Sequence, residues 1–228
     1  MQIERIHDYT DNRFPQEVLW EHGAFLIDGA RPCAFKICGP NAASVFFDDD
    51  TNISEIIDVF RDYAEHITVF YDADGRIIAE YPPVLLQRAS LQSIQPSQFF
   101  VDTDKVEAVS HFIRNSDDVI VPVVRDPQSG RWVSLDGHSR MYAAAAQGWQ
   151  TVQVYESKAG AYIWDFAKEA QRRGVWSPKD ILPLRHQDYQ EQWFGFCSDY
   201  FTLRNGAGRR GQTKPNRIQS SKTNSRIE

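Results

Sequence analysis

Residues 133–156 read VSLDGHSRMYAAAAQGWQTVQVYE. A strand-like run, VSL, meets a polar turn, DGHSR, which opens into an alanine-rich stretch with a helical pattern. Gly148 stops that helix, and a second strand-like run, TVQVYE, follows. A strand that turns into a helix can present bare backbone N–H groups to an anion. The residue types in the turn suit that task. Gly137 permits a backbone conformation closed to other residues and lets a ligand come close. A helix starting near Ser139 aims its first N–H groups out of the turn, and its dipole favours an anion by ~0.3–1 kcal/mol. Arg140 adds a planar fork of donors that matches phosphate oxygens. His138 can donate to phosphate or move a proton near neutral pH. Asp136, at the strand end, can hold a ribose hydroxyl, position a metal or orient His138. Gly137, His138, Ser139 and Arg140 are thus the candidate phosphate cradle, and Asp136 and His138 the candidate catalytic pair. The plainer alternative is an ordinary turn, with Asp136 as a cap and Arg140 in a surface ion pair.

Working outward, LQSIQPSQFF reads as a short strand and turn, and DTDKVEAVSHFIRN as a helix. Asp104 is its N-cap candidate with Glu107 at N3, and Val106, Val109 and Ile113 form its buried stripe. VIVPVVRD is wholly apolar at its centre, which predicts a central strand. PQSG turns the chain, and RWVSLD returns antiparallel. Upstream, residues 18–28 and 33–47 read as strands, the second broken at Gly39-Pro40. A helix then follows, with Asn52 as cap and an end near His66. ITVFYD and RIIAEY make a hairpin around Ala73-Asp74-Gly75, and Pro82-Pro83 closes the unit. The run Asp48, Asp49, Asp50 precedes a helix start, where acids complement the dipole more simply than they bind a cation.

Downstream, AYIWDFAKEAQRRG is a helix ending on Gly174. Ser177 and Pro178 suit a helix start. In HQDYQEQWFGFCSDYF, the residues Tyr189, Trp193, Phe196 and Tyr200 recur at helical spacing, as a packing stripe. From Arg204 onward there are seven basic residues and one acidic, so this tail carries +6 in a chain of net −6 and leaves −12 on the body. Its composition is that of a solvated, disordered segment, and an acidic body argues against a broad nucleic-acid footprint. Cys33, Cys38 and Cys197 lack the spacing of a metal site, and Cys33 and Cys38 read as buried strand thiols. No run of 18 apolar residues and no signal-peptide core occurs, so the expected location is the cytoplasm, with no membrane partner.

The order IQPSQFF, helix, VIVPVVRD, turn, WVSLDGHSRMYAAAAQGW, TVQVYE resembles the ParB/sulfiredoxin superfamily over about residues 91–156. There a proline-marked strand, a helix, an I-x-P-V-type strand and a D-G-x-x-R helix come in that order. Sulfiredoxins place a cysteine after the motif glycine, where this chain has His138. Partitioning proteins carry G-E-R-R, where this chain has G-H-S-R. The D-G-H-x-R of ParB-type free-serine kinases matches Asp136, Gly137, His138 and Arg140. That resemblance implies ATP or ADP, Mg²⁺ and a small hydroxyl acceptor. It also implies a general-base glutamate after the first strand's proline. Gln98 stands at that position, and an amide cannot take a proton from a hydroxyl. Asp102 is the candidate substitute, Asp104 being assigned to the cap. Gln98 and Asp102 are accordingly the expected substrate-side residues.

The expected fold is α+β or α/β with a ParB/sulfiredoxin-like core. Residues 1–83 form a ββαββ module, 84–158 the core, 159–203 a helical extension and 204–228 a disordered basic tail. Three functions stay open at this point. One is binding of a nucleotide or phosphorylated small molecule, extending to phosphoryl transfer. Another is a non-catalytic regulatory or protein-binding module. The third is nucleic-acid binding through the tail, which the acidic body disfavours.

Overall fold

A computed structural model describes residues 1–48 and 52–207, with side chains through Arg204. Asp49 and Asp50 of the acidic run, and the basic tail beyond Ala207, lie outside the described residues. The chain is a mixture of helices and strands, an α+β protein. It divides into two compact units, Met1–Tyr189 and Gln190–Glu228.

The first unit holds three sheets among the described residues, of six, five and two strands. The N-terminal one runs through β1 (Ile3–Arg5), α1 (Gln16–Trp20), β2 (Ala24–Ile27), β3 (Arg31–Gly39), β4 (Ala42–Phe46), α2 (Ile53–Arg61), β5 (Val69–Tyr71) and β6 (Ile77–Glu80). Its six strands lie in sequence order, and only the β4–β5 pair, bridged by α2, is parallel. The core is aromatic. Phe35 stacks on Phe60 with centroids 4.2 Å apart, and Phe25 and Phe70 meet them edge-on.

Residues 18–28 are not one strand. Val18–Trp20 close α1, and the strand starts only at Ala24. Pro15 fixes φ at −58° before the helix, and its carbonyl accepts the N–H groups of Val18 and Leu19. An apolar run this short has the same look in either conformation. Asn52 is the N-cap of α2 but makes no side-chain cap bond, and the helix ends at Arg61 rather than near His66. Cys33 is buried as expected, whereas Cys38 is exposed near the far end of β3.

The chain continues through β7 (Gln87–Ser90), β8 (Ile94–Gln95), β9 (Phe100–Asp102), α3 (Thr103–Ser110), β10 (Ile120–Arg125), β11 (Trp132–Ser134), α4 (His138–Ala146) and β12 (Thr151–Glu156), and all of these strands but β9 form the second sheet. Its order is β7-β12-β10-β11-β8, so the apolar VIVPVV run lies at the centre. Strand β11 returns antiparallel to β10, and β12 lies parallel to β10 on its other side. Val121, Val123, Val152, Val154 and Met141 fill the core beneath α4. Gly148 and Gly174 take left-handed φ of 79° and 84° where their helices stop.

Helix α5 (Tyr162–Arg172) follows, and then a single 3₁₀ turn at Pro178–Asp180. Ser177 and Asp180 close a capping box there, but no longer helix grows from it. Pro183 lacks the N–H a helix interior needs, and the chain becomes β13 (Leu182–Leu184), parallel to β9. Helix α6 (His186–Tyr189) ends the unit. In the second unit a π-helical turn, Gln190–Phe194, leads into α7 (Gly195–Ala207), which takes in Arg204 and its next three residues. No described helix is long and apolar enough to cross a membrane.

Candidate functional site

The DGHSR turn joins β11 to α4. Gly137 sits at the N-cap with φ 76° and ψ 18°, in the left-handed region. A Cβ there would also meet Arg140 Nη2 at 3.2 Å and Val121 Cγ2 at 3.4 Å. The first backbone bond of α4 runs from Met141 N–H to Gly137 O, and no side chain caps the helix. The N–H groups of His138, Ser139 and Arg140 are therefore not spent within the helix.

The guanidinium of Arg140 folds back over Gly137 and lies 3.6 Å from Asp136. The Asp136 side chain is 64% exposed, yet crowding by surrounding atoms is the largest influence on its carboxyl and pushes its pKa up. Arg140, the Gly137 N–H, His138 and Arg5 outweigh that and hold it below the usual range.

His138 points elsewhere. It is only 6% exposed, and its Nε2 lies 3.0 Å from Ser134 Oγ and 3.2 Å from Ser97 Oγ. Ser97 donates its own hydrogen to Ser134 O at 2.6 Å, which leaves Ser97 Oγ as an acceptor for an Nε2–H. Burial pushes the ring down to about 4, so it is neutral at pH 7. The imidazole ties the loop after β8 to β11 and α4 from beneath the turn.

Other charged and titratable groups that act on the turn come from outside the motif. Arg5, at the end of β1, donates from Nε to His22 O at 2.9 Å and lies 4.1 Å over the Tyr63 ring. Burial lowers it to about 10, with Asp136 opposing, so it stays charged at neutral pH. Lys105 on α3 is lowered by burial, while Asp102 and Asp136 pull it back up. His7 and His22 are both pushed down, first by burial and then by Arg5 and Lys105. Tyr9 bonds His22 Nε2 at 2.9 Å, and burial followed by Asp102 raises its phenol. Arg140 thus lies against Asp136, the charges of Arg5 and Lys105 also interact with it, and the first 83 residues, silent in sequence, supply one of these cations.

The cap of α3 is Asp102 and not Asp104. Helix α3 begins at Thr103, so Asp102 is its N-cap and accepts the Asp104 N–H at 3.0 Å. Asp102 is 1% exposed and also holds His186 Nδ1 at 2.7 Å. Side-chain N and O atoms of Asp102, Asp104 and His186 lie within 4.8 Å of one another, and no spacing motif joins the three. Gln98 donates its amide to Phe100 O at 2.5 Å and to Tyr189 Oη at 2.9 Å, so it braces the start of β9. A Gln98→Glu variant replaces that amide donor with an acceptor facing a carbonyl. We expect it to lose about 1–2 kcal/mol in urea unfolding; unchanged stability would mean the brace is not made in solution.

No protein-family model matches the chain, and no curated protein matches it. Among solved structures, the crystal structure of protein Atu1540 from Agrobacterium tumefaciens is similar at 25% identity and a TM-score of 0.28. The match covers 46% of this chain and 56% of that one, and at that score it carries no assignment of fold or function.

Proposed function

We propose that this chain is a ParB/sulfiredoxin-like protein that binds a nucleotide or related phosphate compound at the Asp136–Arg140 turn and transfers phosphate to a small hydroxyl metabolite. The observation that carries the reading is a glycine turn whose helix N–H groups have no side-chain cap and over which the Arg140 guanidinium folds, with the charges of Arg5 and Lys105 acting on its Asp136. Without ligand, Asp136 neutralises part of that charge. A phosphate at the turn gains the amides and the guanidinium fork together. The order of the second sheet, with β10 central and the glycine turn entering α4, supports the family resemblance. Asp136, the exposed carboxylate of the turn, would be the residue to hold a Mg²⁺, which would offset charge on the phosphates.

The test is a thermal-shift screen with Mg²⁺ and ATP, ADP, CTP, GTP or pyrophosphate. Ligand at a hundred times its dissociation constant stabilises the protein by ~2.7 kcal/mol. Arg140→Ala should weaken the responding ligand by about 10- to 100-fold, since a charge-assisted bond contributes roughly 1.5–3 kcal/mol. A flat response to all five sinks the proposal. One observation favours a second reading, a ligand-sensing module without catalysis. Gln98, where the resemblance implies a base, has a bracing role. Binding with no turnover would select it.

A further inference from the structure

We infer that Arg5 is an anion-binding residue, and that a small oxyanion, the carboxylate or phosphoryl group of a metabolite, docks on the Nη1–Nη2 edge of its guanidinium. The inference goes beyond the phosphate reading of the turn and uses donors that the turn does not supply. Arg5 ends β1, where it is in register with Phe25, and the next N–H, that of Ile6, donates to Ala24 O at 2.9 Å. The side chain is held as well. Nε donates to His22 O at 2.9 Å, and Cζ lies 4.1 Å from the centroid of the Tyr63 ring. Those contacts occupy one donor and one face. Among the described residues, Nη1 and Nη2 have no hydrogen-bond or ion-pair partner. The buried side-chain N and O atoms without a partner there are His22 Nδ1 and His66 Nδ1, so both Nη atoms of Arg5 reach solvent.

Other arginines of the first unit are engaged. Arg13, Arg31, Arg88 and Arg173 each pair with a carboxylate. Arg5 differs from them as a planar fork already oriented, with little rotamer freedom left to lose on binding. A carboxylate or phosphoryl group completes it through two parallel N–H···O bonds. The rings gathered at its anchor bring no counter-charge. His7 and Tyr9 lie with ring centroids 6.0 and 5.3 Å from that of His22. Burial pushes both imidazoles down and the phenol up, so all three are neutral at pH 7. Arg5 itself, lowered by burial to about 10, stays charged. Asp136 is the charge that acts on it most, yet its ion pair is with Arg140. A cation partly removed from water gains more from an oxyanion than a fully solvated one does.

The experiment titrates the full chain with inorganic phosphate or acetate, against sodium chloride at equal ionic strength. The Arg5 Nε–H resonance, assigned through its own backbone, is followed by NMR. At least one oxyanion should move it saturably in the millimolar range, and chloride should not. A tighter response to phosphate assigns a phosphoryl ligand, and a tighter response to acetate a carboxylate. In Arg140→Ala the same resonance should respond within about three-fold of wild type, as separate sites do. Adding Arg5→Lys to that variant keeps the charge and removes the fork. Thermal shift should then show the better probe weakened by about 10-fold or more, the scale of a lost charge-assisted bond. A wild-type resonance that neither oxyanion moves, or that chloride moves equally, overturns the inference without any variant having to fold. So does a response abolished by Arg140→Ala, which would put the anion at the turn alone. Equal affinity with and without Arg5→Lys overturns it too.

Discussion

Alanine at position 23 will destabilise the first unit by more than about 3 kcal/mol, the range of substitutions that force a backbone shift. A Cβ on Gly23 would lie 2.0 Å from the Phe35 carbonyl oxygen and 3.0 Å from its carbon. The obstacle is backbone, so no side-chain rotation relieves it. Gly23 is also pinned from both sides. Its N–H donates to Val18 O at 2.8 Å, and its carbonyl accepts the Phe35 N–H at 2.8 Å. Moving β2 away from β3 breaks the second bond and opens the packing of Phe25 on Phe35. The damage reaches Arg5, because the neighbouring His22 carbonyl accepts its Nε–H. Urea unfolding should show the loss directly, with a melting temperature lower by roughly 10 °C for a unit of this size. A cost below 1 kcal/mol would mean that the β2–β3 approach in solution is looser than this.

Acid should weaken the fold before its carboxylates titrate. His138 and His66 are each 6% exposed, and burial lowers them to about 4 and about 3. Unfolded, both titrate near 6.5. Above that pH neither state binds the proton and the stabilisation is fully present. As pH falls from 6.5 towards 4 the unfolded chain takes up protons that the native rings refuse, so stability is lost. The steepest slope is about 1.4 kcal/mol per pH unit for each ring. Arg140 adds to the effect at both positions, and Asp136 opposes it at His138. Glu21, raised by burial, works in the opposite direction at lower pH. Urea midpoints at pH 7.5, 6.5 and 5.5 should fall in step. His66→Phe should flatten the slope and, since His66 Nδ1 is buried without a partner, cost little at pH 7.5. Midpoints unchanged between pH 7 and 5 would contradict the buried neutral rings.

The second sheet could be read from sequence because its signals are local. VIVPVV has no polar face, which suits a strand covered on both sides, and β10 is central. Gly137, Gly148 and Gly174 mark the ends of helices by one residue's conformation each. What was missed depends on contacts between distant residues or on choices too small to see. Strand β1 is three residues, IER, with no alternation to detect. In DTD either aspartate can cap, and only the placement of β9 selects Asp102. Arg5, His22 and His66 show nothing in sequence of the turn they border. His186 meets Asp102 across 84 positions, and no spacing rule links an acid on a strand to an imidazole so far away.

The two-stranded ribbon of β9 and β13 has a kinetic consequence. It joins residues 100–102 to 182–184 by only three register pairs, so its closure must wait for the chain between them to order. The β11–α4–β12 segment is far more local and can consolidate first. During refolding the β11–α4–β12 segment should therefore be protected before the β9–β13 ribbon closes. Rapid dilution from urea with pulsed hydrogen exchange of the two segments would resolve the two steps in time.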